Sequence, residues 1–452
     1  TLGGNVGADS GVASNLKSVT LAGNGGVKLT GDITTSATAG GGVTITGPVT
    51  LNGDVIIDAD AANTTVTFNS TATVNSDGTP RDLDIRTAGG AITMDATIGN
   101  SAAIDVLKIN SAGTPSGNID LFGLAGVTTS AAIGNSSTNQ IKLDGTTYTT
   151  AGTQTYTSAT GDKILFTNTS GATITTSGTD VGFVGGNVKL KEDANLTITT
   201  GGGNGNISFG ATLKGDTTTD SKFSDVSLTS GTGTVSLNTI QDDIKDVTVS
   251  SGTANVTLAG NITLEDSGVL DITGNVLAAK NTLAIDTTNG AASAGGNVTI
   301  TGKLDSVTSD RDVDITTGAG TTKITGNIGT VRKLNSLDIN STNSAANTGA
   351  ITLEGDIGAG ADSTTGAGIA TTLKLGNTGT DAAITLKGED IRTDGAITLY
   401  GKTYSIATGS TALTIVTSDD AVQFLKATGE TGNVTLADNK LTPNQSHHHN
   451  MA

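Results

Sequence analysis

Residues 254–276 read Ala-Asn-Val-Thr-Leu-Ala-Gly-Asn-Ile-Thr-Leu-Glu-Asp-Ser-Gly-Val-Leu-Asp-Ile-Thr-Gly-Asn-Val. Val256 and Leu258 flank Thr257, so two apolar side chains point one way and a hydroxyl the other. Gly260 and Asn261 turn the chain, and Ile262-Thr263-Leu264 resumes the alternation in a new direction. A third short strand, Leu270-Asp271-Ile272, precedes another Gly-Asn at 274–275. Three short strands parted by corners describe one coil of a parallel β-helix, an all-β solenoid. No reaction centre stands out in this stretch or elsewhere in the chain.

The pattern apolar-x-apolar-x-Gly-x-apolar recurs at Val27–Ile33, Val43–Val49, Val256–Ile262, Val298–Leu304 and Ile351–Ile357. Ile92–Ile98 and Ile207–Leu213 carry Ala for Gly, and Thr322–Ile328 opens on Thr. Companion pairs such as Leu83/Ile85, Leu107/Ile109, Val313/Ile315 and Leu337/Ile339 precede many copies at variable distance. The spacing predicts coils of roughly 20–30 residues, about 15–20 of them, stacked ~4.8 Å apart over ~70–100 Å. It also predicts one corner of fixed length and another that accepts insertions, near 286–296, 340–348 and 358–370. A solenoid counts as one body, so residues 1–441 read as a single domain and 442–452 as a polar tail. Register is weakest over 145–185, where a longer loop or an irregular coil is expected.

Composition agrees with thin stacked layers. Glycine makes up 64 of 452 residues, aromatics only 2%, and Trp is absent, where a large globular core would use more rings. A formal charge of −18 argues against nucleic acid as a partner. With only 15% charged residues and strict alternation, the chain does not read as a disordered acidic one. The absence of Cys removes disulfides, thiolate metal sites and cysteine nucleophiles together. No apolar run approaches the ~20 residues that a membrane-spanning helix needs. Thr1-Leu2-Gly3 carries neither Met nor a signal peptide, so a processed chain or a fragment is expected.

Candidates for chemistry are few, and no catalytic, cofactor-binding or metal residue is assigned. Asp242-Asp243 with Lys245, and Asp82 and Asp84 between Arg81 and Arg86, come nearest to the clustered carboxylates and cations of β-helical polysaccharide lyases. Asp54, Asp58 and Asp60, and Glu265-Asp266, leave Ca²⁺ as the one cofactor to weigh, without the Gly-Gly-x-Gly-x-Asp repeat of calcium β-rolls. His447-His448-His449 reads as a tag remnant or a polar end. Asn255, Asn297 and Asn433 read as corner residues, with stacking into an amide ladder as one arrangement. Outward threonines in Thr44-Ile45-Thr46, Thr197-Ile198-Thr199 and Thr299-Ile300-Thr301 fit an ice-binding face locally. The pattern skips coils and coil length wanders, so a flat face is not expected.

Taken with Gly-Asn-Val-Thr-Leu/Ile at 296–300 and 432–436, and Gly-Ala-Ile-Thr-Leu at 349–353 and 395–399, the repeats carry a resemblance. The chain resembles the β-helical shafts of filamentous-haemagglutinin-like and giant β-strand-repeat bacterial exoproteins. The resemblance implies a right-handed helix in a secreted or cell-surface protein, non-enzymatic and structural or adhesive, forming part of a larger adhesin. It implies a surface or matrix ligand such as a glycan as partner. A fibre subunit stacking end to end with neighbouring copies is the alternative; a polysaccharide lyase or hydrolase and an ice-binding protein stand behind it.

Overall fold

The computed structural model describes residues 1–7, 16–35, 41–59, 64–216, 222–290, 294–308, 311–342, 347–358, 368–378, 382–406, 413–417, 420–425 and 434–436. Every regular element among them is a β-strand, and the strands pair in parallel as a solenoid of about 15 turns. The chain forms two compact units, Thr1–Ser224 with Leu228–Gly233, and Asp225–Ser227 with Thr234–Ala452.

In the first unit each coil runs over three faces. Gly42–Thr46, Val49–Leu51 and Val55–Ala59 make up one coil; Thr65–Phe68, Val74–Ser76 and Leu83–Thr87 lie in register on them as the next. Stacking repeats each inward side chain, so Ile45, Phe68, Met94 and Leu121 form one buried column. Each strand finds its ladder partners in the neighbouring coils, so a lone coil could not hold its strands together. In the second unit Val256 pairs with Val276 and Leu258 with Ala278, so the stretch that opens the sequence reading is indeed one coil. With Val256 opposite Val276 and Leu337 opposite Leu373, a coil takes from 20 to 36 residues.

The expectation of a single fixed corner is overturned. Within the first unit the recurring motif turns the chain from second face to third at Val27–Ile33, from first to second at Val43–Val49, and from third to first at Ile207–Leu213. At many corners the backbone passes close to the corner of the adjacent coil. A Cβ on Gly47 would stand 2.1 Å from the Gly23 carbonyl oxygen, and one on Gly117 2.0 Å from that of Gly90. The second unit stacks Gly268, Gly296, Gly320 and Gly349 in one such column. Gly296, Gly320 and Gly349 have ordinary φ, so space rather than a left-handed backbone requires glycine there.

Threonine has a second place that alternation alone did not reveal. A buried Thr or Ser at the end of a strand donates its hydroxyl across the corner to a backbone carbonyl. Thr87 reaches Gly90 at 2.8 Å, Thr200 reaches Gly205 at 2.8 Å, Ser230 reaches Gly233 at 2.7 Å and Thr317 reaches Gly320 at 2.8 Å. These bonds satisfy carbonyls that no ladder could reach.

Residues 145–185 are regular, against expectation. Thr147–Thr149, Thr153–Thr157, Asp162–Phe166, Ala172–Thr175 and Val181–Val184 all stack on their neighbours, with a single register shift between Asp162 and Ile164. Several of their inward positions hold aromatic rings, beside Ile164, Ile174 and Val181. Tyr156 stacks on Phe183 with centroids 5.3 Å apart, and Phe183 on Phe209 at 4.9 Å. Tyr148 meets Phe166 edge-on at 6.5 Å. Both phenols are bonded inside: Tyr156 donates to Gln154 Oε1 at 2.7 Å, and Tyr148 to the Leu121 carbonyl at 3.1 Å. The buried Gln154 amide in turn donates to the Tyr148 carbonyl at 2.9 Å.

One structural block occurs twice, once in each unit. Asn110 (φ 46°) accepts from the Thr87 amide at 2.8 Å and donates to the Thr87 hydroxyl at 2.9 Å. Asn340 (φ 50°) does the same to Thr317 at 2.8 and 3.0 Å. One coil on, Asn135 donates to the Asn110 carbonyl at 2.7 Å and Asn377 to the Asn340 carbonyl at 3.1 Å. The register shifts also match, between Ile104 and Val106 and between Leu334 and Ser336. Leu-Lys-Ile-Asn-Ser at 107–111 and Leu-Asp-Ile-Asn-Ser at 337–341 are the sequence trace of this duplication.

Candidate functional surfaces

Several of the carboxylates singled out by sequence hold corners, while Asp58 and Asp84 lie within strands. Asp54 accepts from the Asp82 amide at 3.1 Å, and Asp82 from the Val106 amide at 3.2 Å, each one coil away. Arg81 pairs with Asp77 at 3.3 Å and Arg86 with Asp84 at 2.6 Å, so the two arginines do not converge on one point. Asp242 and Asp243 form a left-handed turn (φ 52° and 55°), and the Asp243 amide donates to Glu265 at 3.1 Å. Glu265 also takes Asn289 Nδ2 on both oxygens at 3.1 Å. Asp58 lies opposite Arg86 in register. Among the described residues no group of three His, Cys, Asp or Glu is placed to hold a metal ion. Asp60, Asn433, the His447–His449 run and the 442–452 tail lie outside the described residues, as do parts of the expected insertions (291–293, 343–346, 359–367).

The asparagines do not form the ladder considered. Asn255 lies opposite Asn275, whose Oδ1 accepts from the Lys303 amide at 3.3 Å. Asn297 precedes a different strand, and its Oδ1 accepts the Thr321 amide at 2.8 Å and the Thr321 hydroxyl at 3.0 Å. A side-chain amide ladder occurs instead in a shallow groove of the first unit, lined by Gly89, Ser116, Gly117, Asn118, Asn139 and Lys163. Asn139 Nδ2 donates to Asn118 Oδ1 at 2.8 Å, and Lys163 Nζ to Asn139 Oδ1 at 3.1 Å.

Charge also stacks. In the second unit Asp314, Asp338 and Lys374 occupy one outward column. Burial, then the neighbouring Asp338 and Asp312, push the Asp314 carboxyl above the usual range. Burial raises Asp338 as well, against the pull of Lys374 at 3.8 Å. In the first unit Lys142 bridges Asp120 at 3.1 Å and Asp144 at 2.8 Å.

The threonine rows named from sequence have different surroundings. Thr44 continues a column through Thr20, Thr67 and Thr93, but Thr46 is flanked by Ala22 and bonded to Asn69 at 2.8 Å. Thr299 lies between Asp271 and Lys323. Thr197 and Thr199 are in register with Thr173 and Thr175, and these with Thr147 and Thr149. Sequence reading missed the last two rows because it treated 145–185 as irregular; Thr-x-Thr around each central Tyr or Ile was the available signal. In all comparisons made with known proteins, no protein family, no curated protein and no solved structure matches the chain.

Proposed function

We propose that the chain is a non-enzymatic structural or adhesive β-solenoid of a bacterial surface or secreted protein, a segment of a larger adhesin of the filamentous-haemagglutinin-like kind. One observation carries this reading: carboxylates and amides at many corners are committed to the backbone of the next coil. Asp356, for example, accepts the amides of Glu389 and Asp390 at 2.7 and 3.2 Å. Carboxylates so engaged stiffen a stack and are poorly placed to exchange protons with a substrate. The partner it implies is a surface or matrix glycan met by the outward polar faces, with no resident cofactor.

Beads coated with the chain test the reading on immobilised glycans and matrix proteins, with Ca²⁺ present. Retention on at least one surface without release of sugar is expected. Release of unsaturated or reducing sugar from an acidic polysaccharide would replace this reading with a lyase or hydrolase. Beads that wash off like uncoated ones would remove adhesion.

A further inference from the structure

The three threonine rows of the first unit set two threonine columns side by side, where the column of Thr20, Thr44, Thr67 and Thr93 stands alone. Thr147, Thr173 and Thr197 form one column, Thr149, Thr175 and Thr199 a second, and neither pairing has a register shift. All six side chains are exposed or half-exposed, while Tyr148, Ile174 and Ile198 between them are buried. Among the described residues none of the six hydroxyls has a hydrogen-bond partner. Their inward neighbours Thr150, Thr176 and Thr200 do, each donating across its corner to Gly152, Thr179 or Gly205. The corner bonds and the aromatic layer beneath fix the strands from behind. Neither column holds a charge, whereas the comparable column of the second unit runs Asp271, Thr299, Lys323, Thr352.

Parallel-strand geometry sets the grid. Hydroxyls repeat about 4.7–4.9 Å from coil to coil and about 6.6–6.8 Å along each strand. These distances are on the scale of the oxygen repeats on an ice crystal face. Threonine suits such a lattice, since its hydroxyl can take a lattice position while its methyl excludes competing water. The branched Cβ restricts χ1, so little side-chain freedom is lost on docking. A solid surface needs many weak groups held at fixed spacing together, which a stacked sheet supplies and a loop does not.

We propose that the paired threonine columns at 147/149, 173/175 and 197/199 bind the ordered water of an ice surface. The proposal stands apart from the adhesive reading, since it concerns another ligand and one face of the first unit. The test is thermal hysteresis and ice-crystal shaping by the whole chain. The double variant Thr173→Lys/Thr175→Lys and the control Thr352→Lys are measured alongside, with folding of each checked by circular dichroism. Hysteresis and faceted crystals are expected for the unaltered chain and the control, with hysteresis lost in the double variant. An unaltered chain that neither lowers the freezing point nor shapes crystals overturns the proposal without reference to any variant. Hysteresis that survives in a folded double variant overturns the assignment to this face. If the double variant does not fold, Thr173→Val/Thr175→Val, which keeps shape and removes only hydroxyls, decides by a reduced or an unchanged hysteresis.

Discussion

Gly349 passes so close to Gly320 that a Cβ on Gly349 would stand 1.6 Å from the Gly320 carbonyl oxygen. The neighbour is backbone, and it is held by its own corner bond from Thr317, so it cannot swing aside. Gly349→Ala should therefore destabilise the second unit by about 1–3 kcal/mol or more, the range for overpacking a fixed interior. Gly202→Ala is the control, since nothing lies within 4 Å of its Cβ position and its φ is not left-handed. Chemical denaturation of the two variants checks this; equal midpoints would mean that the glycine column does not constrain the stack.

Asn340 separates hydrogen bonding from backbone strain. Its amide satisfies the Thr317 N–H and hydroxyl, and its φ of 50° is one that Asn tolerates and Ala does not. Asn340→Gly keeps the backbone and leaves the Thr317 N–H unpaired, at a cost of about 1–3 kcal/mol. Asn340→Ala adds the left-handed penalty of about 1–2 kcal/mol. The expected order of thermal midpoints is unaltered chain, then Gly, then Ala, and Asn110 should give the same order in the first unit.

The all-β coil was legible in the sequence because stacking repeats like on like: Val256 over Val276 follows from alternation and Gly-Asn corners alone. The faces were not, since one local motif serves all three corners and does not say which it occupies. Tyr148 and Tyr156 hid regular strands because rings replaced the aliphatic pairs that the reading counted. The Thr87–Asn110 bond joins residues 23 apart, and only stacking brings them together. The threonine array has the same origin: each Thr-x-Thr is unremarkable by itself, and its meaning lies in the register between coils.

Phe183 lies between two other rings and should be the most costly core position in its region. Phe183→Ala removes stacking on Tyr156 and Phe209 together, for a loss of about 3–5 kcal/mol. Phe183→Leu should recover most of the volume and little of the ring geometry. Near-ultraviolet circular dichroism should fall in both variants. An unchanged spectrum in Phe183→Leu would mean that the rings are not ordered against one another.

Burial lifts the Tyr148 and Tyr156 phenols well above the ordinary tyrosine value near 10, and Tyr404 is pushed up to about 12. A raised folded value means that the unfolded chain loses these protons first. The stability from keeping the phenols neutral is thus complete below about pH 10 and falls as pH rises above it. Phenolate absorbance from Tyr148 and Tyr156 should appear together with loss of circular dichroism, not before it. Phenolate appearing from a fully folded first unit would contradict the buried network of Tyr148, Gln154 and Tyr156.

Asp314 and Asp338 give the opposite lever at the acid end. Both carboxyls are raised, so their charged forms disfavour the fold at neutral pH, and that penalty is relieved as pH falls through their folded values. Asp314→Asn keeps the shape and removes one charge of the column, so its thermal midpoint should exceed that of the unaltered chain at pH 7. The gain should shrink as pH falls through the raised folded value of Asp314, where its carboxyl takes up a proton in the folded chain. Salt should reduce the part of the gain that comes from repulsion between the two carboxylates and leave the part that comes from burial. An Asp314→Asn chain less stable at pH 7 would mean instead that Lys374, which pulls both carboxyls down, outweighs the burial and crowding of the acids.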